Sequence, residues 1–168
     1  ATLAGNTATA PAVGTWTLIQ GSGTITTPLS PSTTVTGLGV GVNRFRWTIN
    51  NGPCAAPTTD DMLITVFSNA QTPANAGPDQ SICTPTNSVT MNANALIGPA
   101  TGTWSVVSGS GSFSNAASPT TNITGLVVGV HTFQWTVNNG ACGSTNDQVT
   151  ITVFSASSPN ANAGLDQQ

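Results

Sequence analysis

Apolar and polar residues alternate with a period of two in each half of the chain, and that pattern predicts β-strands. Over 132–137, Phe133, Trp135 and Val137 point one way, while Thr132, Gln134 and Thr136 point the other. Over 148–153, Val149, Ile151 and Val153 alternate with Gln148, Thr150 and Thr152. In the first half the matching inward sets are Phe45, Trp47, Ile49 and Met62, Ile64, Val66, with Arg44 and Arg46 outward. Earlier strands run through Gly14 to Leu18 and Gly102 to Val106. Gly-Ser-Gly at 21–23 and 109–111, Ser-Pro at 30–31 and 118–119, and Asn-Asn-Gly at 50–52 and 138–140 mark turns. No stretch of useful length shows helical periodicity.

The two halves are copies. Trp16 to Cys54 and Trp104 to Cys142 align without a gap over 39 residues, 20 of them identical. MLITVF at 62–67 repeats as VTITVF at 149–154, and NAGPDQ at 75–80 as NAGLDQ at 162–167. A period of about 87 residues is one small domain. The expected organisation is a repeat truncated at its N-terminus (1–67), a linker (68–74), a complete repeat (75–154), a second linker (155–161) and the start of a third repeat (162–168). The window therefore reads as part of a longer tandem array. Short strands with turns every ten residues or so predict an all-β fold of tandem, immunoglobulin-like antiparallel β-sandwiches. Trp16, Trp47, Trp104, Trp135, Phe45 and Phe133 are the expected core fillers, with Trp104 and Trp135 contributed one from each sheet.

Composition narrows the function. Charged residues make up 4% of the chain, against about 25% in an ordinary domain. A net charge of −3 with two Arg and no Lys excludes the basic surface that nucleic acid requires. No apolar run reaches the roughly 20 residues of a bilayer span, so membrane insertion is not expected. The abundant Thr suits the solvent face of strands.

Within the repeat frame, Cys83 and Cys142 belong to one copy, and Cys54 aligns with Cys142. The expectation is a disulfide between Cys83 and Cys142 inside each domain, with the partner of Cys54 outside the chain. Closing that loop would stabilise the fold by roughly 4 kcal/mol and implies an oxidising, extracellular setting. Metal binding through the cysteines is disfavoured, because CxxC pairs and clustered His are absent.

The ingredients of catalysis are scarce. His131 is the one histidine, stands where the other copy has Asn43, and is read as an outward, solvated side chain. No Ser-His-Asp or Cys-His set recurs. The acidic pair Asp60-Asp61 is read as becoming Asn146-Asp147, so paired-carboxylate chemistry is not kept. The chain is expected not to be an enzyme and to need no cofactor. Calcium is the open exception: Asp79 and Asp166 lie in the recurring NAGxDQ segment, and Asp61 and Asp147 precede the last strand. Two carboxylates per repeat fall short of six or more oxygens, and turn-capping hydrogen bonds explain them as well. For ligand binding, Phe67 and Phe154, at the outward parity ending the last strand, are the candidates. Contact with a neighbouring repeat accounts for them equally. The sequon Asn122-Ile123-Thr124 has no counterpart in the other copy and reads as chance.

NAGxDQ, a Cys soon after, GTW, GLxxGxxxFxWTVxNGxC and a closing VTITV strand together resemble the PKD-like/Ig-like repeats of very large Bacteroidota surface proteins. Those include SprB-type gliding adhesins exported by type IX secretion. The resemblance implies an extracellular, cell-surface location and a stalk or spacer within an adhesive filament. The expected partners are neighbouring repeats of the same chain and, beyond them, surface glycans or other copies of the filament. Two alternatives stand beside it: a tandem carbohydrate-binding module whose avidity comes from repetition, and a self-assembling extracellular fibre.

Overall fold

A computed structural model describes residues 1–157 and 161–162. Residues 163–168, which carry Asp166 and most of the restarted motif, lie outside the described residues, as do 158–160 of the second linker.

The alternating segments form strands. The first compact unit comprises Ala1–Gln71 with the short segments Ile97–Ala100 and Asn139–Cys142. Its strands are β1 (Thr2–Ala4), β2 (Val13–Gln20), β3 (Thr24–Ile25), β4 (Ser32–Thr36), β5 (Gly41–Asn50) and β6 (Thr58–Val66). They build two antiparallel sheets, ordered β1-β4-β3 and β2-β5-β6. Leu3 and Val35 from one sheet meet Trp16, Phe45 and Trp47 from the other, all buried. This is a β-sandwich in which each inner face carries every second residue.

The second unit comprises Thr72–Leu96, Thr101–Asn138 and Gly143–Gln168. It contains β7 (Gln80–Cys83), β8 (Val89–Asn92), β9 (Thr101–Ser108), β10 (Ser112–Phe113), β11 (Thr120–Thr124), β12 (Gly129–Asn138) and β13 (Ser144–Phe154). One sheet is β10-β11-β8 and the other β7-β13-β12-β9. The pairings are antiparallel except β7 on β13, which is parallel and sets Cys83 opposite Phe154. Val89, Met91 and Ile123 face Trp104, Phe133, Trp135, Val149, Ile151 and Val153 across the core. The helical segments among the described residues are two single 3-10 turns, Gly52–Cys54 and Gly140–Cys142.

Two expectations are corrected. The paired tryptophans are not one from each sheet: Trp104 faces Trp135 directly across β9 and β12, and Trp16 faces Trp47 across β2 and β5. Their ring centroids are 5.2 and 5.1 Å apart. The glycine of each GTW makes this possible. A Cβ on Gly14 would run into the Trp47 ring, and one on Gly102 into the Trp135 ring.

The second correction concerns the cysteines. Cys54, Cys83 and Cys142 are all free and exposed, so the expected Cys83–Cys142 bond is not formed. The strand between them explains why. Cys83 pairs with Phe154 at the far end of β13, whereas Cys142 precedes Ser144 at its start by two residues. The eleven residues of β13 span about 33 Å at 3.3 Å per residue. Two residues of slack plus one inter-strand spacing still leave on the order of 20 Å, against a Cα–Cα limit of about 7 Å for a disulfide.

Candidate functional site

The only histidine is inside the protein, which corrects its reading as an outward side chain. His131 shares the parity of Phe133 and Trp135 on β12 and is 2% exposed. Its Nδ1 accepts the Ser110 N–H at 2.9 Å, and its Nε2 lies 2.7 Å from the Val127 carbonyl. With Nδ1 accepting, Nε2 carries the proton and donates to Val127. Asn43 does the same work in the first unit. It is 1% exposed, its Oδ1 accepts the Ser22 N–H at 2.9 Å, and its Nδ2 donates to Gly39, Gly41 and Ile64 carbonyls. Each is a polar latch holding the Gly-Ser-Gly turn against the central strand. The turn needs its glycine: Gly21 and Gly109 have φ of 83° and 84°, and a Cβ there would strike Asn43 or His131. His131 is therefore fully used in structure and has no free face for proton transfer.

The tryptophan N–H groups are also turned to structure. Trp16 Nε1 donates to the Pro31 carbonyl at 3.1 Å, Trp47 Nε1 to Asn6 at 3.2 Å, and Trp104 Nε1 to Ser118 and Pro119. Trp135 differs, because its Nε1 is buried without a partner among the described residues.

The carboxylates separate rather than converge. Asp61 accepts two hydrogen bonds from Arg46, at 2.7 and 3.0 Å, and Arg44 Nε lies 3.7 Å away. Hydrogen bonding to Arg46, partly opposed by burial and supported by the charges of Arg46 and Arg44, holds the Asp61 carboxyl below its ordinary range. The same hydrogen bond and charge raise the Arg46 pKa further. Asp147 Oδ2 accepts the Ala76 N–H at 2.8 Å, and Asp79 Oδ1 accepts the Thr150 N–H at 2.8 Å. The ladder also corrects the alignment of the acidic pair. Trp47 faces Asp60 as Trp135 faces Asp147, and Arg46 faces Asp61 as Gln134 faces Gln148. Asp61 thus corresponds to Gln148, not to Asp147. The described residues contain no group of three or more His, Cys, Asp or Glu side chains placed to hold a metal ion.

Of the aromatic candidates, Phe154 is 54% exposed. Phe67 is half-buried, with its ring against Gly140 inside the first unit. A cleft of about 410 Å³ opens in the first unit, lined by Asn6, Trp16, Trp47, Asp60 and Met62. In the second unit the segment around Ala76 occupies that edge, buried and tied to Asp147. No helix among the described residues is long and apolar enough to cross a membrane.

Residues 76–153 match the family model described as K319L-like, PKD domain. The chain is similar to the solution structure of the PKD domain of KIAA 1837 protein: 26% identity, 56% of this chain and 98% of that one, TM-score 0.46. It is similar too to the PKD domain of human KIAA0319 at 22% identity, over 60% of this chain and 99% of that one, TM-score 0.44. An I-band fragment of titin aligns at 17% identity over 89% of this chain and 57% of the fragment, TM-score 0.38. No curated protein matches the chain.

Proposed function

We propose that the chain is a stalk segment of a long extracellular adhesin or filament, in which each PKD-like sandwich is a spacer. The observation that carries this reading is the fate of the side chains that recur between copies. All four tryptophans are 4% exposed or less, and three direct their N–H to backbone carbonyls. The histidine and its Asn43 counterpart latch turns, Asp79 and Asp147 accept backbone amides, and Asp61, which has Gln148 in its place in the other copy, pairs with Arg46. These recurring groups serve the scaffold, and the exposed side chains that also recur, such as Val40 with Val128 and Val42 with Val130, are aliphatic and bring no polar group to orient a ligand. The match of residues 76–153 to a PKD family model supports the extracellular setting. Surface adhesion or gliding motility, with export by type IX secretion, is the role we assign to the parent filament. We assign no calcium to the repeat, because Asp61, Asp79 and Asp147 are each engaged singly.

Phe154 is the residue that a carbohydrate-binding reading would use, since aromatic surfaces stack on sugars and it is exposed. A glycan-array screen of the chain, run with calcium and with chelator, decides between the two. The expected result is a blank array in both conditions. Reproducible binding lost in Phe154→Ala would overturn the spacer reading in favour of a lectin, and calcium-dependent binding would restore the carboxylates as ligands.

A further inference from the structure

We propose that Asn51 is a site of spontaneous deamidation, cyclising to a succinimide that opens to isoaspartate. The fold holds the same step at Asn139 unreactive. The chain has two Asn-Gly steps, 51–52 and 139–140, both in the repeated Asn-Asn-Gly turn. Asparagine is a thermolabile residue, and a following glycine, having no side chain, leaves the attacking backbone nitrogen unhindered. The turn sequence is the same in both copies, so local chemistry alone predicts similar rates. The surroundings of the two turns make them differ.

Asn51 precedes the 3-10 turn Gly52–Cys54 with φ −101° and ψ 28°, and its side chain makes no capping hydrogen bond. Asn50, Asn51 and Gly52 are all exposed. Gly52 N–H donates to Asn50 Oδ1 at 2.9 Å, a local bond at the surface. A Cβ on Gly52 would meet nothing within 4 Å, and no residue of the turn is buried. Rotation about the Asn51 ψ bond brings the Gly52 nitrogen to Asn51 Cγ at the cost of that one exposed bond. Asn139 is 8% exposed, and its Nδ2 donates to the Ser68 carbonyl at 2.8 Å. The Phe67 ring lies where a Cβ on Gly140 would be. Phe67, Ser68 and the segment Asn139–Cys142 belong to the same compact unit. Cyclisation at Asn139 therefore has to shift the ring and break the bond to Ser68 before Cγ can turn toward the nitrogen.

Water is the only co-reactant. Hydroxide takes the Gly52 amide proton, and the nitrogen attacks Asn51 Cγ. The new C–N bond closes the imide ring as the Cγ–Nδ2 bond breaks, and Nδ2 leaves as ammonia with a proton from water. Water then adds to one imide carbonyl and cleaves its bond to nitrogen. Cleavage at the backbone carbonyl gives isoaspartate, and cleavage at Cγ gives aspartate. No electrons are transferred: a carboxamide and a water become a carboxylic acid and ammonia. Once ionised, the acid adds one negative charge to a chain of net charge −3. Isoaspartate also inserts a methylene into the backbone. That insertion falls between β5 and β6, past their last paired residues Ile49 and Thr58, so the ladder survives it.

The test uses the full chain, incubated folded in mildly alkaline buffer made with heavy-oxygen water, then digested with an acid protease for mass spectrometry. Heavy oxygen marks each deamidated asparagine, and labelling by isoaspartyl methyltransferase measures the isoaspartate. Asn51 is expected to react about tenfold faster than Asn139, the ratio that losing the Ser68 hydrogen bond and uncovering the side chain imposes. In guanidinium chloride the two rates become similar, because the turn sequences match. Phe67→Ala speeds Asn139 toward the rate of Asn51 in the folded protein, and Asn51→Gln removes the signal from the first turn. Equal rates at the two sites in the folded chain would overturn the proposal. So would an Asn51 that keeps its amide throughout the folded incubation. Neither outcome touches the spacer reading, which is decided by ligand binding.

Discussion

The two copies carry the same closing strand in different surroundings. In β13, Val149, Ile151 and Val153 are 2% exposed or less, whereas Met62 in β6 is 36% exposed and Ile64 and Val66 are half-buried. The residues are of the same kind, alternate in the same way and pair with the same central strand. What differs is the neighbour. β13 is flanked by β7 and by the Ala76 segment, and β6 has no strand on its outer edge among the described residues. An apolar strand face is buried by what packs over it, not by its own pattern, and an open edge is also a template for unwanted pairing.

The largest test of that comparison is to give the first copy the missing neighbour. Residue 1 aligns with residue 89, so placing residues 75–88 ahead of Ala1 supplies a β7 counterpart. Burying Met62, Ile64 and Val66 more fully should stabilise the first unit by about 3 kcal/mol, read as slower amide hydrogen exchange across β5 and β6. Unchanged exchange would show that the edge is not what loosens β6. The second test exchanges the latches. His131→Ala leaves the Ser110 N–H and Val127 carbonyl buried without partners and should cost about 2–3 kcal/mol in urea unfolding. His131→Asn should recover most of that, because Asn43 already does this in the other copy. If Asn is no better than Ala, the two latches are not equivalent.

A third comparison uses the tryptophan N–H groups. Trp47→Phe removes the hydrogen bond to Asn6 and should cost about 1 kcal/mol more than Trp135→Phe, whose N–H has no partner to lose. The smallest effect is expected on the outer face, where Arg46–Asp61 in one copy is Gln134–Gln148 in the other, with Gln148 Nε2 3.1 Å from Gln134 Oε1. The Asp61 carboxyl is held below its ordinary range, so its contribution is complete at neutral pH and is lost as pH falls through the folded-state value. Replacing both residues by Gln should leave neutral-pH stability unchanged, since exposed pairs contribute little. Acid unfolding of the first unit should then become shallower. An unaltered acid limb would mean that the pair does not titrate with folding.

The sandwich class, the strand positions and the core residues were legible because period-two alternation survives wherever one face is buried. Phe45, Phe133 and the four tryptophans all lie where their parity puts them. The inward place of His131 was missed, although it stands two residues before Phe133 and shares its parity. Its polarity pointed outward, and only the turn amide at Ser110 and the carbonyl at Val127 make an inward histidine stable. The acidic pair was misaligned because a one-residue slip between the copies falls in the loop before β6. The ladder, not the residue types, shows that Arg46 stands opposite Asp61.

The sequence by itself determined the repeat, the all-β class, the inward faces and the lack of basic surface, because each depends on local order along the chain. The tertiary structure decided that the tryptophans share a sheet, that β7 lies parallel to β13, and that Cys83 and Cys142 stand at opposite ends of one strand. Those facts depend on which strands become neighbours. Strand pairing joins residues far apart in the chain, and no period along the sequence records it.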